Sequence, residues 1–333
     1  MKLFFQSPTW QKLKWPLAAL GLVLLFNLIF ASGFFHLEVK NGRVFGSLID
    51  ILNRAVPVML LSLGMTLVIA TSGVDLSVGA VMAIAGSIAA LLLTKTDLPV
   101  PVIIAICLTA SCVVGIGNGA LVGFFQVPPI VATLILMVSG RGIAQLLTNG
   151  QIITFENKNF EFIGRGTFLA LPFTITLTLL VFAALSLLAK KTAAGLFIES
   201  TGDNETASRY AGVNTRLVKV LVYAICSLLA GLAGLIVTTD IKAADANNAG
   251  QWLELDAILA TVIGGTSLLG GRFYLIGSLI GAILIQTLTT TILTRGVAVE
   301  WTLMVKALVI IAVCLLQSEQ FRKTFFARRR RST

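Results

Sequence analysis

The run LVKVLVYAICSLLAGLAGLIVTT, residues 217–239, is long enough to cross a bilayer and contains a single charged residue, Lys219. A transmembrane helix needs about 20 consecutive, mostly apolar residues. The whole chain has this character: 56% of its 333 residues are hydrophobic and 12% are charged, whereas about 25% of residues in soluble domains are charged. No alternating strand pattern occurs, and lipid-exposed backbone must satisfy its own hydrogen bonds. The sequence therefore predicts an all-α polytopic membrane protein.

Apolar runs of similar length recur and predict about ten transmembrane helices in one domain. Spans 2–5 and 7–10 have opposite predicted orientations, and in each set an aspartate beside glycines, Asp75 or Asp256, starts a span. An inverted repeat of these two sets is therefore a hypothesis, since transporters commonly contain one. The predicted spans are residues 16–35, 51–71, 76–94, 99–125, 129–148, 168–189, 217–239, 256–271, 273–294 and 301–317.

The distribution of lysine and arginine predicts the orientation of the chain. With the N-terminus inside, 15 of the 25 basic residues fall on the inner side of the ten spans and 8 on the outer side. Cytoplasmic loops carry such an excess, so we expect both termini in the cytoplasm. The basic tail, residues 318–333, is expected to lie against anionic lipid, and the net charge of +10 therefore does not indicate nucleic-acid binding.

The chain lacks the residue patterns of most membrane enzymes and ATPases. His36 is the single histidine, so neither H-E-x-x-H nor a Ser–His nucleophile pair can be built, and no phosphate-binding G-x-x-x-x-G-K-[ST] loop occurs. We expect no catalytic, cofactor or metal site, and active transport would take its energy from an ion or from another polypeptide. An ion-coupled secondary sugar transporter, which is expected to place carboxylates at mid-membrane, and a polytopic enzyme are the alternatives.

A polar stretch, GDNETASRYAGVNTR (residues 202–216), lies between the sixth and seventh spans. Asp203 or Asn204 suits an N-cap, the acidic and basic residues that follow suit the helix dipole, and Gly212 suits a left-handed stop. The pattern predicts a cytoplasmic helix of about two turns. Because such a short helix is marginal alone, it is either a docking helix for a cytoplasmic partner or an ordinary loop between spans.

Three blocks of sequence carry a resemblance to a known family. They are VIATSGVDLSVGAVMAIAG (residues 68–86), GDNETASRYAGVN (202–214) and ELDAILATVIGGTSLLGGR (254–272). Together, in this order, they resemble the membrane subunits of ribose-type sugar importers of the ATP-binding-cassette class, over about residues 45–317. DIKAADANNAGQWLELDAI (240–258) and VATLILMVSGRGIAQLLTNGQIITF (131–155) are similar to the galactofuranose subgroup of these permeases.

Two departures from the broader family favour the galactofuranose subgroup. Many sugar permeases have a GG-x-G turn after the eighth span, where this chain has Gly270, Gly271, Arg272 and Phe273. The family more usually has a proline in the outer loop that contains residues 245–248 here. Both departures weaken any transfer of pentose specificity to this chain.

The resemblance implies a transport subunit of the bacterial inner membrane that is not itself an enzyme. It would form a path for a monosaccharide, galactofuranose or a related galactose-type sugar, delivered by a periplasmic binding protein. A cytoplasmic ATPase subunit would drive it, and an identical or related second permease would complete the path within the lipid. The polar segment, 202–214, would be the coupling helix that docks on the ATPase, through Asn204, Glu205, Ala207, Arg209 and Gly212.

Two further groups of polar residues are candidates for contact with the sugar or its carrier. Residues 240–256 read as an outer loop, which would be a periplasmic gate, a binding-protein contact or a solvated connector with an interfacial Trp; its candidates are Asp240, Asp245, Asn247, Asn248 and Trp252. The second group either lines the path or bonds neighbouring helices, and comprises Asp75, Ser77, Asn118, Thr133, Arg141 and Gln145.

Two features concern helix packing and depth. Gly115, Gly119 and Gly123 are spaced four apart, a pattern that lets helices approach closely, and we expect this contact within the chain rather than between subunits.

Lys306 lies about two turns inside the tenth span, where a long side chain is expected to extend back to the interface.

Overall fold

A computed structural model describes residues 8–30, 34–40, 43–168, 170–296 and 299–317. The basic tail predicted at residues 318–333 lies outside the described residues. Within the described residues there are thirteen helices: α1 (Pro8–Phe30), α2 (Ser47–Ala70), α3 (Val78–Lys95), α4 (Val100–Gly123), α5 (Pro129–Thr148), α6 (Lys158–Arg165), α7 (Phe173–Lys191), α8 (Ala193–Asp203), α9 (Glu205–Tyr210), α10 (Thr215–Ile241), α11 (Leu253–Ile263), α12 (Leu275–Thr294) and α13 (Val299–Gln317).

Six short strands form three antiparallel pairs in the links between helices. They are β1 (Glu38–Lys40) with β2 (Arg43–Phe45), β3 (Ile153–Thr154) with β6 (Ala243–Ala244), and β4 (Thr167–Phe168) with β5 (Leu171–Pro172). The end of the bundle that carries the short helix α9 is called the α9 end below. The opposite end carries α6 and is called the α6 end.

Eight of the described helices are long and apolar enough to cross a membrane: α1 from Leu13 onward, α2, α3, α4, α5, α7, α10 and α12. They confirm the predicted all-α polytopic class. The tenth predicted span corresponds to α13. The helices α2 and α10 are largely buried, whereas α1, α4, α5 and α7 are mostly exposed, so α2 and α10 form the centre of the bundle and the others present apolar surface outward.

The central helix α10 packs closely against α4 because glycines line their contact. A Cβ atom at Gly115 would lie 2.6 Å from the Ser227 Cβ, and one at Gly119 would lie 2.6 Å from the Val220 Cα. The third glycine of the stripe, Gly123, faces the start of α10 in the same way. The structure therefore places this small-residue stripe within the chain, as expected.

The predicted eighth span, residues 256–271, is not a continuous helix. The helix α11 ends at Ile263, and the residues after it turn away because Gly265, Gly270 and Gly271 have φ values of 94°, 88° and 86°, a left-handed conformation that favours glycine. Eleven helical residues rise about 16 Å, roughly half the thickness of the hydrocarbon core. The sequence did not predict this break because residues 256–271 are largely apolar throughout.

An unwound segment, residues 242–252, completes this crossing from the α6 end. Its start, β6, pairs with β3 beside α6, and its later residues contact α3 progressively nearer the start of that helix. Ala246 is buried with Ala83, and a Cβ atom at Gly79 would lie 2.4 Å from the Gly250 carbonyl oxygen. The interpretation of residues 240–256 as an outer loop is therefore wrong for their central part, which folds into the bundle.

A second unwound segment, residues 71–77, enters the bundle from the α9 end. It follows α2, and α3 begins inside the bundle at Val78. The two unwound segments thus each follow a buried central helix, enter from opposite ends and precede a helix whose start lies in the interior. This arrangement supports the inverted-repeat hypothesis, in which interrupted helices occupy corresponding positions.

The contact between α4 and α10 can be tested with a pair of glycines two positions apart. Gly119→Leu should disrupt the bundle, because a side chain there meets the backbone of Val220, and overpacking typically costs about 1–3 kcal/mol. Gly117→Leu is the control, since nothing lies within 4 Å of its Cβ position. Thermal unfolding in detergent measures both, and equal midpoints would contradict this account of the packing.

Candidate functional site

The short helix α9 has the capping that the sequence predicts. Asn204 is the N-cap, and its Oδ1 accepts a hydrogen bond from the Ala207 N–H at 2.9 Å. At the other end, Gly212 has a φ of 87°, and its N–H donates to the Arg209 carbonyl oxygen. The helix covers residues 205–210 and lies inside the predicted segment 202–214.

Ion pairs hold α9 against the start of α10. The Glu205 carboxylate accepts from Arg209 at 2.5 Å and from Lys219 of α10 at 2.7 Å, and Arg209 Nε donates to Thr215 Oγ1 at 2.8 Å. Burial raises the pKa of Glu205, but its bonds to Lys219 and Arg209 outweigh this effect and leave the pKa below its ordinary value of 4.5. Glu205 is therefore ionised at neutral pH, and its ion pair with Lys219 links α9 to α10.

The outward face of α9 includes a residue that the sequence analysis missed. Asn204, Ala207, Arg209 and Gly212 are exposed, as a docking surface requires. Beside them Tyr210 is 90% exposed, and exposed tyrosines are enriched among residues that dominate binding energy at protein interfaces. A tyrosine within an otherwise polar segment was the signal that could have identified it.

Three chain segments meet at the α9 end in what we call the Ser72 junction, formed by Ala70, Ser72, Gly202, Leu269 and Gly271. Ser72 Oγ lies within hydrogen-bond distance of two carbonyl oxygens, that of Gly202 at 3.0 Å and that of Leu269 at 2.9 Å. The Gly271 N–H donates to the Ala70 carbonyl oxygen at 2.9 Å. The end of α8, just before α9, is thereby joined to the loops that flank α3 and α11.

A cavity of about 350 Å³ lies between α9 and the first unwound segment. Its lining joins the ion pairs of α9 to the Ser72 junction, so movement of α9 would change its shape. Its polar lining residues are Thr71, Ser72, Gln126, Thr201, Glu205, Arg209, Lys219 and Tyr223.

Buried polar residues hold the first unwound segment in place. Asp75 Oδ1 accepts from the Ser77 N–H at 2.9 Å and from the Ser77 hydroxyl at 2.5 Å, and Asn118 of α4 donates to Ser77 Oγ at 3.0 Å. Thr133 of α5 lies 3.4 Å from the Val74 carbonyl oxygen. Asp75, Ser77, Asn118 and Thr133 are all buried, so in this conformation they support the broken crossing and do not face an open path.

Arg141 and Gln145 of α5 hold the second unwound segment. Arg141 Nη1 donates to the carbonyl oxygens of Ala246 and Ala249, at 3.1 and 2.6 Å, and Gln145 donates to Asn247 Oδ1 at 2.7 Å. The sequence analysis assigned these α5 residues and residues 245–252 to separate groups. The structure joins them into one site.

Two acidic residues of the predicted outer loop, Asp245 and Asp240, have different positions. Asp245 organises the segment from within, since its Oδ1 accepts from the backbone N–H groups of Asn247 and Asn248. Asp240 is apart from this site: it lies in the last turn of α10, where its carbonyl oxygen accepts from Arg165 of α6 at 3.0 Å. Asp240 therefore remains a candidate for contacts at the α6 end alone.

Two charged residues inside the bundle have roles that the sequence analysis did not anticipate. Glu254, in the first turn of α11, is buried against Gly79 and close enough to Arg141 for electrostatic attraction. Lys306 does not extend back to the interface as expected, because its Nζ lies 2.9 Å from the Asp256 carboxylate, with both side chains largely buried. A paired charge inside a bundle is less costly than an isolated one.

The fold and the site define a polytopic membrane transport protein, because two crossings are interrupted inside the bundle and polar side chains gather at both interruptions. Residues 47–314 match the family described as the permease component of branched-chain amino acid transport systems. The chain belongs to this family. Membership makes it a transport component rather than an enzyme.

Several characterised permeases are similar to the chain over most of its length. The galactofuranose transporter permease protein YtfT of Escherichia coli K12 is 50% identical, with 93% of this chain and 92% of the relative covered. The fructose import permease protein FruF of Bifidobacterium longum is 39% identical, covering 92% and 87%. The ribose import permease protein RbsC of Escherichia coli K12 is 36% identical, covering 84% and 88%.

The buried pair of Lys306 and Asp256 gives a stability prediction. Lys306→Met should cost about 3–5 kcal/mol, because it leaves a carboxylate buried without its partner. Adding Asp256→Asn should recover most of this loss, since the double variant buries no charge. Thermal unfolding measures the series, with Lys95→Met at the exposed end of α3 as the control; a double variant no more stable than Lys306→Met would contradict the prediction.

Proposed function

We propose that this chain is the transmembrane subunit of an ATP-driven importer for galactofuranose or a related galactose-type sugar in the bacterial inner membrane. The observation that carries the proposal is the 50% identity, over 93% of the chain, to a protein named as a galactofuranose transporter permease. The other relatives named above import fructose and ribose, which supports a sugar rather than the amino acid of the family description.

The proposed assembly contains three kinds of partner. A cytoplasmic ATPase binds the exposed face of α9, a periplasmic binding protein delivers the sugar at the α6 end, and a second permease subunit completes the path. The exposed apolar residues of α5, which include Ile135 and Val138, suit a surface shared with that second subunit. A secondary carrier would instead move sugar without an ATPase, so dependence on ATP separates the two functions.

The proposed mechanism follows the contacts of α9. Nucleotide-driven closure of the ATPase displaces α9, and the pair of Glu205 and Lys219 passes this displacement to α10. The Ser72 junction passes it to the loops flanking α3 and α11. Both interrupted crossings then move together, and access to the path changes from one side to the other.

Variants of α9 test the proposed function in a reconstituted complex of permease, ATPase and binding protein. Glu205→Lys removes the attraction to Arg209 and Lys219, and Gly212→Pro cannot adopt the left-handed φ of 87°. Each variant should enter the membrane but lose sugar-stimulated ATP hydrolysis, which should fall to the basal rate.

Glu199→Lys is the matched control, because it makes the same charge change one helix earlier. It should retain stimulation by galactofuranose. Unchanged stimulation in both α9 variants would refute the docking role of α9. Uptake by the wild-type chain that persists without ATP and collapses with the proton or sodium gradient would refute the ATP-driven function itself.

Thiol labelling tests the proposed orientation, with α9 in the cytoplasm. In a chain whose four native cysteines have been replaced, Thr206→Cys on α9 and Asn159→Cys on α6 each place a thiol at an exposed position. A membrane-impermeant reagent added to intact spheroplasts should label position 159 and not position 206. Labelling of position 206 before lysis would place α9 in the periplasm and overturn the proposal.

A further inference from the structure

We propose that Asn247, Asn248, Gln251 and Trp252 form a contact site for the transported sugar near the middle of the membrane; we call these four residues the amide–Trp site. The inference rests on the proposed sugar-import function and names where this chain touches the sugar. The sequence analysis placed these residues at the outer surface. Their depth, exposure and support argue for a site inside the membrane.

Packing against α10 and α4 fixes the depth of the site. A Cβ atom at Gly234 would lie 2.4 Å from the Met82 carbonyl oxygen, and one at Gly231 would lie 2.2 Å from Ser111 Oγ. Ser111 is halfway along α4, which spans the membrane. Gly250 contacts the same Met82 and also Gly79, which is one turn nearer the start of α3. Gly250 and the residues beside it therefore lie near mid-membrane.

Exposure at this depth requires a polar environment. Asn247, Asn248 and Gln251 are all exposed on the surface of the chain. Asn247 and Asn248 each have one hydrogen-bond partner in the chain, Gln145 and Asp245 respectively, but a carboxamide can donate two hydrogen bonds and accept two. Polar groups left without partners are costly in hydrocarbon, so these side chains face a hydrated path or a polar ligand, and a path between two permease subunits provides this setting.

The chemistry of the site suits a neutral polyol. Carboxamides donate and accept hydrogen bonds, as sugar hydroxyls do, and the Trp252 side chain, which is 54% exposed, offers an aromatic face for the C–H surface of a sugar ring. The four side chains of the site carry no charge, and beneath them Arg141 is attracted to Asp245 and Glu254. The exposed layer is therefore uncharged, which favours a sugar over an ionised amino acid.

Contacts within the chain hold the unwound segment that carries the amide–Trp site. Arg141 is a positioning residue, because its guanidinium binds two carbonyl oxygens of the unwound segment and does not belong to the exposed layer. Trp252 has a φ of 67°, a left-handed conformation that is unfavourable for a non-glycine residue and is found most often at functional sites. It lies immediately before α11.

Two measurements on the same protein test the amide–Trp site. The first is intrinsic fluorescence of the isolated permease in detergent with Trp252 as its single tryptophan, titrated with millimolar D-galactose. The second is galactofuranose uptake into proteoliposomes by the full complex with Trp252→Ala, Trp252→Phe or Trp301→Ala in the permease. Trp301 is the control because it is similarly exposed, 56%, on α13.

We expect saturable, galactose-dependent fluorescence of Trp252. We also expect Trp252→Ala to lower the maximal uptake rate about tenfold, which corresponds to roughly 1.4 kcal/mol. Trp252→Phe should recover part of the rate, since it keeps an aromatic face. Trp301→Ala should transport like the wild type.

Arg141 variants separate positioning from mere stability. Arg141→Lys should keep more uptake than Arg141→Met. At a temperature below the thermal midpoint of each variant, both should show an altered Trp252 fluorescence spectrum, whereas a purely structural role would leave the spectrum of the folded protein unchanged.

The outcomes distinguish this inference from the proposed function. Normal uptake in Trp252→Ala, or identical loss in Trp301→Ala, would overturn the amide–Trp site and leave the importer function intact. Galactose-dependent fluorescence without ATP-dependent uptake by the wild type would overturn the function and support the site. The absence of both signals would overturn both proposals.

Discussion

Backbone that leaves the helical conformation inside a membrane must find hydrogen-bond partners within the protein, and this requirement shapes the structure. Residues 71–77 and 242–252 are both unwound inside the bundle. Asp75 and Asn118 support the first segment, and Arg141 supports the second by binding two of its carbonyl oxygens. The buried polar residues are thus needed for the fold itself, and the interruptions they permit are what a transport protein uses to change access.

In the proposed mechanism, hydrogen bonds and an ion pair at one end of the bundle connect α9 to the interrupted crossings. The segment before α9 meets the end of α2 and the loop after α11 at the Ser72 junction, while Glu205 ties α9 to α10. A displacement of α9 therefore reaches both central helices and both interrupted crossings by short routes. The Ser72 junction also explains why glycines occur at position 202 and, far along the chain, at the adjacent positions 270 and 271.

The sequence predicted the features that depend on local patterns. Apolar runs marked the long helices, and Asn204 and Gly212 marked the ends of α9, because capping chemistry acts within a few residues. The break after Ile263 was missed because the residues that follow are apolar as well as glycine-rich. The pair of Lys306 and Asp256 and the link between Arg141 and residues 246–249 join segments far apart in the chain, and no local pattern reports such contacts.

The glycine contacts of the Ser72 junction bear on its mechanical stiffness. A Cβ atom at Gly202 would lie 1.7 Å from the Ala70 carbonyl oxygen, so main chain rests directly on main chain. Side chains between two moving segments can change rotamer and so absorb a small displacement. A direct contact between backbone atoms cannot absorb a displacement in this way. In the proposed mechanism, the displacement of the interrupted crossings should therefore be nearly as large as the displacement of α9.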